Sequence, residues 1–253
     1  MNEIISILKY SPQTARLRIQ NPVIAAKYEP GHFVILKFSQ NDLRVPFSIV
    51  DADKDAGWIE IIIHRADGLE ELLEIMQPGE SVPDLLGPLG NPANIDEGST
   101  ILFFGDGAGV VPLLPLMRLA KKKNCRIKAV LSEKSSRTKC LLSDIDAECS
   151  SVVTVSDDDL LESALNFVAN EKIDKVMMSG PTMMMKRLAA ETKKRDIPSE
   201  CLLNMVMIDG IGLCGVCRVI VAGERKQTCT DGPIFNAHEV DFDQLFNRQR
   251  LFV

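Results

Sequence analysis

Three of the seven cysteines stand close together near the C-terminal end, at Cys214, Cys217 and Cys229. Cys214 and Cys217 form a C-x2-C pair, so two sulfurs share one short loop and can grip one metal ion or the edge of one cluster. Gly210, Gly212 and Gly215 lie in the same loop and let backbone N–H groups turn inward toward bound sulfide. Plant-type iron–sulfur loops run C-x4-C-x2-C before a distant fourth cysteine. Here Asp209 stands five residues ahead of Cys214, and the stretch reads D-x4-C-x2-C-x11-C.

Other chemistries compete for these residues. Zinc accepts both thiolate and carboxylate, although its sites favour paired cysteine knuckles over a glycine-lined loop. A disulfide set is the second alternative. Against it, seven cysteines is an odd number, and the chain opens on Met-Asn-Glu-Ile-Ile without an apolar signal segment, so a reducing cytoplasmic setting is expected. Cys201 is an alternative fourth ligand whose spacing fits no common pattern. Cys125, Cys140 and Cys149 lie in ordinary α/β sequence and read as buried, unreactive thiols.

The totals describe a compact globular chain: 253 residues, 45% hydrophobic, 25% charged, net charge −6. The acidic balance argues against nucleic acid as a partner. No run approaches the roughly 18 apolar residues of a membrane span. Met177-Met178 and Met183-Met184-Met185 read either as an adaptable contact patch or as core filler.

Residues 1–96 read as short strands broken by turns. Glu3 to Lys9, Thr14 to Ile19, His32 to Phe38 and Trp58 to His64 alternate or run apolar, and Pro30-Gly31, Pro78-Gly79 and Gly87-Pro88 punctuate them. That spacing suggests a small antiparallel barrel, with one helical stretch at 68–76. Within it, the extended segment Arg44-Val45-Pro46-Phe47-Ser48 offers a cation, apolar surface and a hydroxyl, suited to a phosphate, a flat ring and a ring nitrogen.

From Ser99 the pattern becomes strand, turn, helix. Thr100 to Phe104 is a buried-type strand, followed by Gly105-Asp-Gly107-Ala-Gly109 and then a helix carrying proline near its first turn. Strands at 126–131, 151–155 and 175–179, with helices at 160–170 and 182–194, complete a mainly parallel sheet over 97–198 whose crevice lies at the strand C-termini. A glycine turn leading into a helix N-terminus suits a pyrophosphate, whereas Asp106 within the turn repels one unless it points away. Arg137 either meets an adenosine ribose or 2′-phosphate, or is a solvated surface side chain.

These pieces carry a resemblance. Pro30-Gly31-His32-Phe33, the Arg44-to-Ser48 segment, the strand ending at His64 and Gly87-Pro88-Leu89-Gly90 resemble, in the same order, ferredoxin-reductase-type flavoproteins. Ser179-Gly180-Pro181-Thr-Met183-Met resembles the segment bordering the nicotinamide in those reductases. Barrel, nucleotide sheet and the 199–253 cluster loop together resemble the electron-transfer subunit of dihydroorotate dehydrogenase. Asp209 and the Cys229-Thr-Asp-Gly-Pro-Ile-Phe tail narrow the resemblance to the small subunits of NADH-dependent reduced ferredoxin:NADP oxidoreductase and archaeal sulfide dehydrogenase.

The resemblance implies a β-barrel plus α/β fold of ferredoxin-reductase-like type with a C-terminal [2Fe–2S] subdomain. It implies FAD at Arg44, Val45, Pro46, Phe47, Ser48, Ile62, Ile63, His64, Gly68 and Leu69. His32 and His64 either contact the flavin or finish strands. NAD(H) or NADP(H) falls at Gly105, Gly107, Gly109, Ser179, Gly180, Pro181 and Met183, and the cluster at Asp209, Cys214, Cys217 and Cys229. The implied role is electron transfer from NAD(P)H through FAD and the cluster to a larger flavoprotein/iron–sulfur subunit, with ferredoxin met through the complex. The departures at Asp106, Leu69 and the acidic run 157–159 motivate a second reading, an adaptor that keeps the cluster without oxidising NAD(P)H itself. A dihydroorotate dehydrogenase or sulfite reductase electron-transfer subunit shares the same architecture. The tail 242–253 is apolar enough to dock, either on this chain or on a partner.

Overall fold

The computed structural model describes residues 2–11, 14–38, 44–64, 76–132 and 136–252. The expected sites Gly68 and Leu69, and the helical stretch 68–76 apart from Met76, lie outside the described residues, as do the side chains of His64 and Arg137.

The first unit is a six-stranded antiparallel sheet of β1 (Glu3–Ser11), β2 (Thr14–Gln20), β3 (Phe33–Lys37), β4 (Val45–Asp53), β5 (Trp58–His64) and β6 (Asp84–Leu89), in the order β1-β2-β5-β4-β3-β6. A short helix, α1 (Pro22–Lys27), starts with proline in its first turn and is capped by Asn21, whose side chain accepts from Ile24 N. The sheet curls into a barrel. The chain leading into β6 bonds back to the start of β1, with Ile4 N donating to Glu80 O at 2.8 Å and Val82 N to Asn2 O at 2.9 Å.

β5 explains why alternation is blurred in the sequence. Ile59, Ile61 and Ile63 fill the barrel with Leu17, Val34 and Ile49, while Ile62 on the opposite face packs with Ile101, Phe103 and Val110 of the next unit. Both faces of the strand are covered at that end, so both carry apolar residues. Nearer its start, the outward position is Glu60, 2% exposed, held by Arg18 at 2.9 Å and approached by Arg16 at 3.5 Å.

The second unit is built from β7 (Thr100–Gly105), α2 (Val110–Lys122), β8 (Arg126–Ser132), α3 (Ser136–Glu148), β9 (Ser151–Val155), α4 (Asp157–Asn170), β10 (Lys175–Ser179), α5 (Thr182–Lys194) and β11 (Ser199–Leu202). The strands β7 to β11 run parallel, and the order is β14-β11-β10-β7-β8-β9, with β14 (Ile234–Asn236) antiparallel at the edge. Of the methionine clusters, Met177, Met178 and Met185 are core, and Met183 is exposed.

The C-terminal stretch does not stand apart. β11 and β14 extend the parallel sheet, and between them lie the cysteine loop and a hairpin of β12 (Arg218–Val221) and β13 (Glu224–Gln227). The last helix, α6 (Phe242–Gln249), docks on this same chain and buries Phe242 and Leu245. Among the described residues no helix is long and apolar enough to cross a membrane.

Two turns of the second unit meet at one point. Asp106 N donates to Ser179 O at 3.1 Å, and a Cβ on Gly109 would stand 2.1 Å from that same oxygen. The turn after β7 and the turn after β10 therefore pack backbone to backbone, which only glycine permits.

Two outcomes follow. Gly109→Ala must push these turns apart, costing roughly 1–3 kcal/mol as overpacking does; an unshifted denaturation midpoint would contradict the contact. Glu60→Ala removes the partner of the half-exposed Arg18 and one of two partners of Arg16, which keeps Asp144, and should cost about 1 kcal/mol; a loss above ~3 kcal/mol would show the site to be closed to water.

Candidate redox site

A cleft opens where the three parts of the chain converge. The barrel supplies Phe33, Pro46, Phe47, Ser48 and Ile62; the sheet supplies Gly109, Val111, Pro112, Pro115 and Ser179; the segment after β11 supplies Leu202, Leu203, Asn204 and Met207. Its walls are largely apolar, with Ser48, His32 and Asn204 as polar points, which suits a flat ring system carrying a few polar edges. Pro115 sits inside α2, where it cannot donate to the carbonyl of Val111, and both residues line the cleft. His32 Nδ1 accepts from Glu29 N at 3.0 Å, and burial holds its pKa below the ordinary value while Glu29 pulls it up, so the ring faces the cleft uncharged at neutral pH.

The barrel residues expected at this cleft do not all reach it, and Phe47 touches both the cleft and the barrel interior. Pro46, Phe47, Ser48 and Ile62 line it. Val45 and Ile63 turn toward the barrel interior instead. Arg44 is engaged by Asp84 of β6, through Nε at 2.9 Å and Nη2 at 2.8 Å, so this carboxylate already neutralises the cation expected to reach a phosphate. His64 ends β5 opposite Thr14.

The two glycine turns come together as the sequence implies. Gly105 has no room for a Cβ beside Leu113 and Leu131, and Gly107 takes the left-handed φ of +56°. Gly180 lies over Asp106, Pro181 is exposed, and Met183 points outward. Neither α2 nor α5 has a side-chain N-cap, so two helix N-termini present N–H groups at one end of the sheet, where an anion is favoured. Asp106 opposes this. It is half-buried, and burial and Asp157 raise its pKa while hydrogen bonds from Ser132 and the Gly107 backbone lower it; Ser132 also donates to Asp157.

The cysteine loop leaves the cleft directly. Met207 lines the cleft, and Asp209 follows two residues later. Gly210, Gly212 and Gly215 all have positive φ, at +72°, +87° and +65°. This winds the loop tightly enough that Asp209 Oδ1 accepts from Ile211 N at 2.9 Å and Gly212 N at 3.2 Å, while Oδ2 accepts from Cys214 N. Desolvation pushes the Asp209 pKa up, but these donors and the Cys214 thiol outweigh it and hold the carboxyl below its usual range.

The four donors form two pairs. Asp209 is in hydrogen-bond contact with Cys214, and Cys229 with Cys217. Burial and the adjacent Cys217 thiol push Cys229 up to about 12. Cys217 and Cys229 are buried, Cys214 is exposed, and the Thr228 hydroxyl donates to the Cys217 carbonyl at 3.0 Å. Two pairs along one glycine-wound loop fit a two-iron cluster, one pair to each iron. Cys201 is buried in β11 with its pKa raised by burial, in the same core cluster as Cys217 and Cys229.

Some of the cleft was not anticipated from sequence, notably Asn204, Met207 and Pro233. Asn204 and Met207 precede the cysteine motif and Pro233 sits in the tail after it, and only the return of β11 and β14 to the sheet brings them in. Arg248 is another. It donates to the carbonyls of Gly215 and Val216 inside the cysteine loop, and burial together with Arg218 and Arg225 lowers its pKa.

Comparison with known proteins agrees with this geometry. Residues 204–241 match the iron–sulfur cluster binding domain of dihydroorotate dehydrogenase B. The chain is 31% identical to a dihydroorotate dehydrogenase B (NAD(+)) electron transfer subunit homolog of Thermotoga maritima over 98% of this chain and 90% of that one. It is 34% identical to the corresponding electron transfer subunit of Bacillus velezensis over 84% of this chain and 87% of that one. A structure of an NADH-dependent reduced ferredoxin-NADP oxidoreductase superposes with a TM-score of 0.89 at 27% identity, covering 99% of this chain and 93% of that one. With barrel, sheet and cluster loop matched end to end, the chain belongs to the family of dihydroorotate dehydrogenase B electron transfer subunits and their homologs.

Proposed function

We propose that this chain accepts electrons from NAD(P)H at a flavin held in the central cleft and hands them, through a [2Fe–2S] cluster, to a larger flavoprotein/iron–sulfur subunit. The observation that carries this reading is the continuity of cleft and cysteine loop: Leu202, Leu203, Asn204 and Met207 line one end of a segment whose other end bears Asp209. When bound, the flavin takes up a hydride as two electrons and the cluster carries them one at a time.

The residues divide the work. Phe33, Phe47 and Ile62 give the ring system an apolar bed, and Ser48 and Asn204 supply polar contacts at its edge. Gly107, Gly109, Ser179 and Gly180 shape the turns before two uncapped helix N-termini, the arrangement a dinucleotide's phosphates require. Asp209, Cys214, Cys217 and Cys229 hold the cluster. We assign residues 1–96 to the flavin and 97–198 to the nucleotide, while 199–253 carry the cluster loop and lend β11 and β14 to the nucleotide-side sheet.

The partner-facing surface surrounds the exposed half of the cluster loop. Val206, Ile208 and Ile211 are about half exposed and Leu213 is 82% exposed, all close in sequence to Asp209 and Cys214. Water-facing aliphatic side chains grouped around an electron carrier suit a protein interface. The similarity to electron transfer subunits supports a larger partner, and ferredoxin would be met through that partner.

Asp106 supports a second reading. A half-buried carboxylate beside Asp157 in the nucleotide crevice weakens phosphate binding, as expected of an adaptor fed with electrons by another subunit.

An anoxic visible spectrum of the purified chain, before and after NADH or NADPH, separates the readings. Flavin and cluster bands that bleach on pyridine nucleotide support direct oxidation. Bands that bleach only with dithionite favour the adaptor, and zinc without iron would sink both. In Asp209→Cys the cluster should remain and its midpoint potential should shift, because a soft thiolate replaces a hard oxygen donor. Full iron retention in Asp209→Ala with an unchanged potential would remove Asp209 from the ligand set.

A further inference from the structure

The C-terminal helix reaches into the cysteine loop at one point. Arg248 Nη2 donates to Val216 O at 2.7 Å and to Gly215 O at 3.4 Å, and Nε donates to Val216 O at 3.2 Å. These two carbonyls lie between Cys214 and Cys217, the residues that would bind the two different irons. A rigid planar fork across them fixes the peptide that separates the irons, a geometry that a flexible ammonium does not reproduce.

The helix is itself held firmly. Asp241 caps it by accepting from Gln244 N at 2.9 Å, Phe242 and Leu245 are buried, and Asp243 pairs with Lys186 at 2.6 Å. The neighbouring Gln249 accepts from the Thr182 hydroxyl at 2.6 Å, beside the turn that follows β10. Adjacent residues of α6 therefore touch the cysteine loop and the nucleotide-side turn.

Two further cations approach the same peptide. Arg218 Nη1 lies 3.5 Å from Gly215 O, the outer limit of a hydrogen bond, and the Arg225 guanidinium covers Gly215 from the hairpin. Arg225 is exposed, so water and salt screen its charge. Arg248 is half-buried and donates to the Gly215 and Val216 carbonyls, and its charge acts through a less screened medium.

We propose that Arg248 is a positioning residue of the iron–sulfur site: its guanidinium clamps the Gly215–Val216 carbonyls and sets a fixed positive charge beside the cluster that raises its reduction potential. The inference rests on the cluster assignment above. One-electron reduction adds one negative charge to the cluster and no proton, so a nearby cation stabilises the reduced form.

The test is a dithionite-poised redox titration of the reconstituted full-length chain, followed by the EPR signal of the reduced cluster, with iron counted in every sample. Wild type without iron would refute the cluster assignment itself. Given a loaded wild type, Arg248→Gln should lower the midpoint, shifting the oxidised-to-reduced ratio at fixed potential by about tenfold, ~59 mV for a one-electron couple. Arg248→Lys, which keeps the charge but not the fork, should stay near the wild-type potential while its EPR line shape changes. If Arg248→Gln fails to retain iron, Arg248→His is titrated on the acid and alkaline sides of neutrality: a midpoint that falls as the imidazolium loses its proton, and does not fall in wild type, supports the charge, and an unchanged one overturns it. Loaded Arg248→Gln with a wild-type midpoint and line shape overturns the proposal.

Discussion

Gly210 lies against the barrel so closely that a methyl group there would come within 2.5 Å of Ile35 Cδ1 and 2.9 Å of Leu89 Cδ1. This contact decides how the rest of the molecule is arranged. It presses the cysteine loop onto β3 and β6, the strands that lead into the cleft wall, instead of leaving it as an appendage on the sheet edge. A larger residue would have to push these side-chain ends aside or lift the loop, and would also need the left-handed φ of +72°, which costs a side chain roughly 1 kcal/mol or more. The same face is tied a second time, where Asn91 N donates to Gly232 O at 2.7 Å and its side chain donates to Thr230 O at 3.0 Å. Barrel and cysteine loop are thus fixed to each other on both sides of the loop. A fixed separation is what electron transfer between two bound centres requires.

Around that fixed frame the charges are distributed unevenly. On the loop, the Asp209 carboxylate is already satisfied by three backbone N–H groups, so a further ligand role requires only part of its lone-pair capacity. Arginines from the hairpin and the last helix meet the adjoining carbonyls. Where the two glycine turns meet the local sign reverses, with Asp106 and Asp157 near two helix N-termini that favour negative charge. The dipoles and these carboxylates partly offset one another. The net effect there is set by where Asp106 points, toward Ser132 and Asp157 and beneath Gly180.

Much of this was legible in the sequence because it depends on local chemistry. The glycine positions in the cysteine loop and in the turn after β7 predict backbone paths that other residues cannot take, and those paths are present. The strands from β7 to β10 and the helices α4 and α5 follow from apolar periodicity. What the sequence hides is long-range. β11 and β14 are four and three residues long, too short to carry a pattern, yet they join the sheet and bring Leu202 and Pro233 to the cleft. That Arg44 pairs with Asp84, on a strand distant in sequence, is not visible in its own segment. Arg248 carries no motif and acquires meaning only when α6 packs.

The two donor pairs differ in a way that bears on direction. Cys217 and Cys229 are buried against the core that also contains Phe235 and Val219, while Asp209 and Cys214 sit on the side where Ile211 and Leu213 face water. Burial in low dielectric disfavours added negative charge, and thiolates already carry it. The exposed pair has one carboxylate whose charge is shared with backbone donors, so that half of a bound cluster meets a more polar setting. Covering the exposed half with a partner's apolar surface would remove that difference.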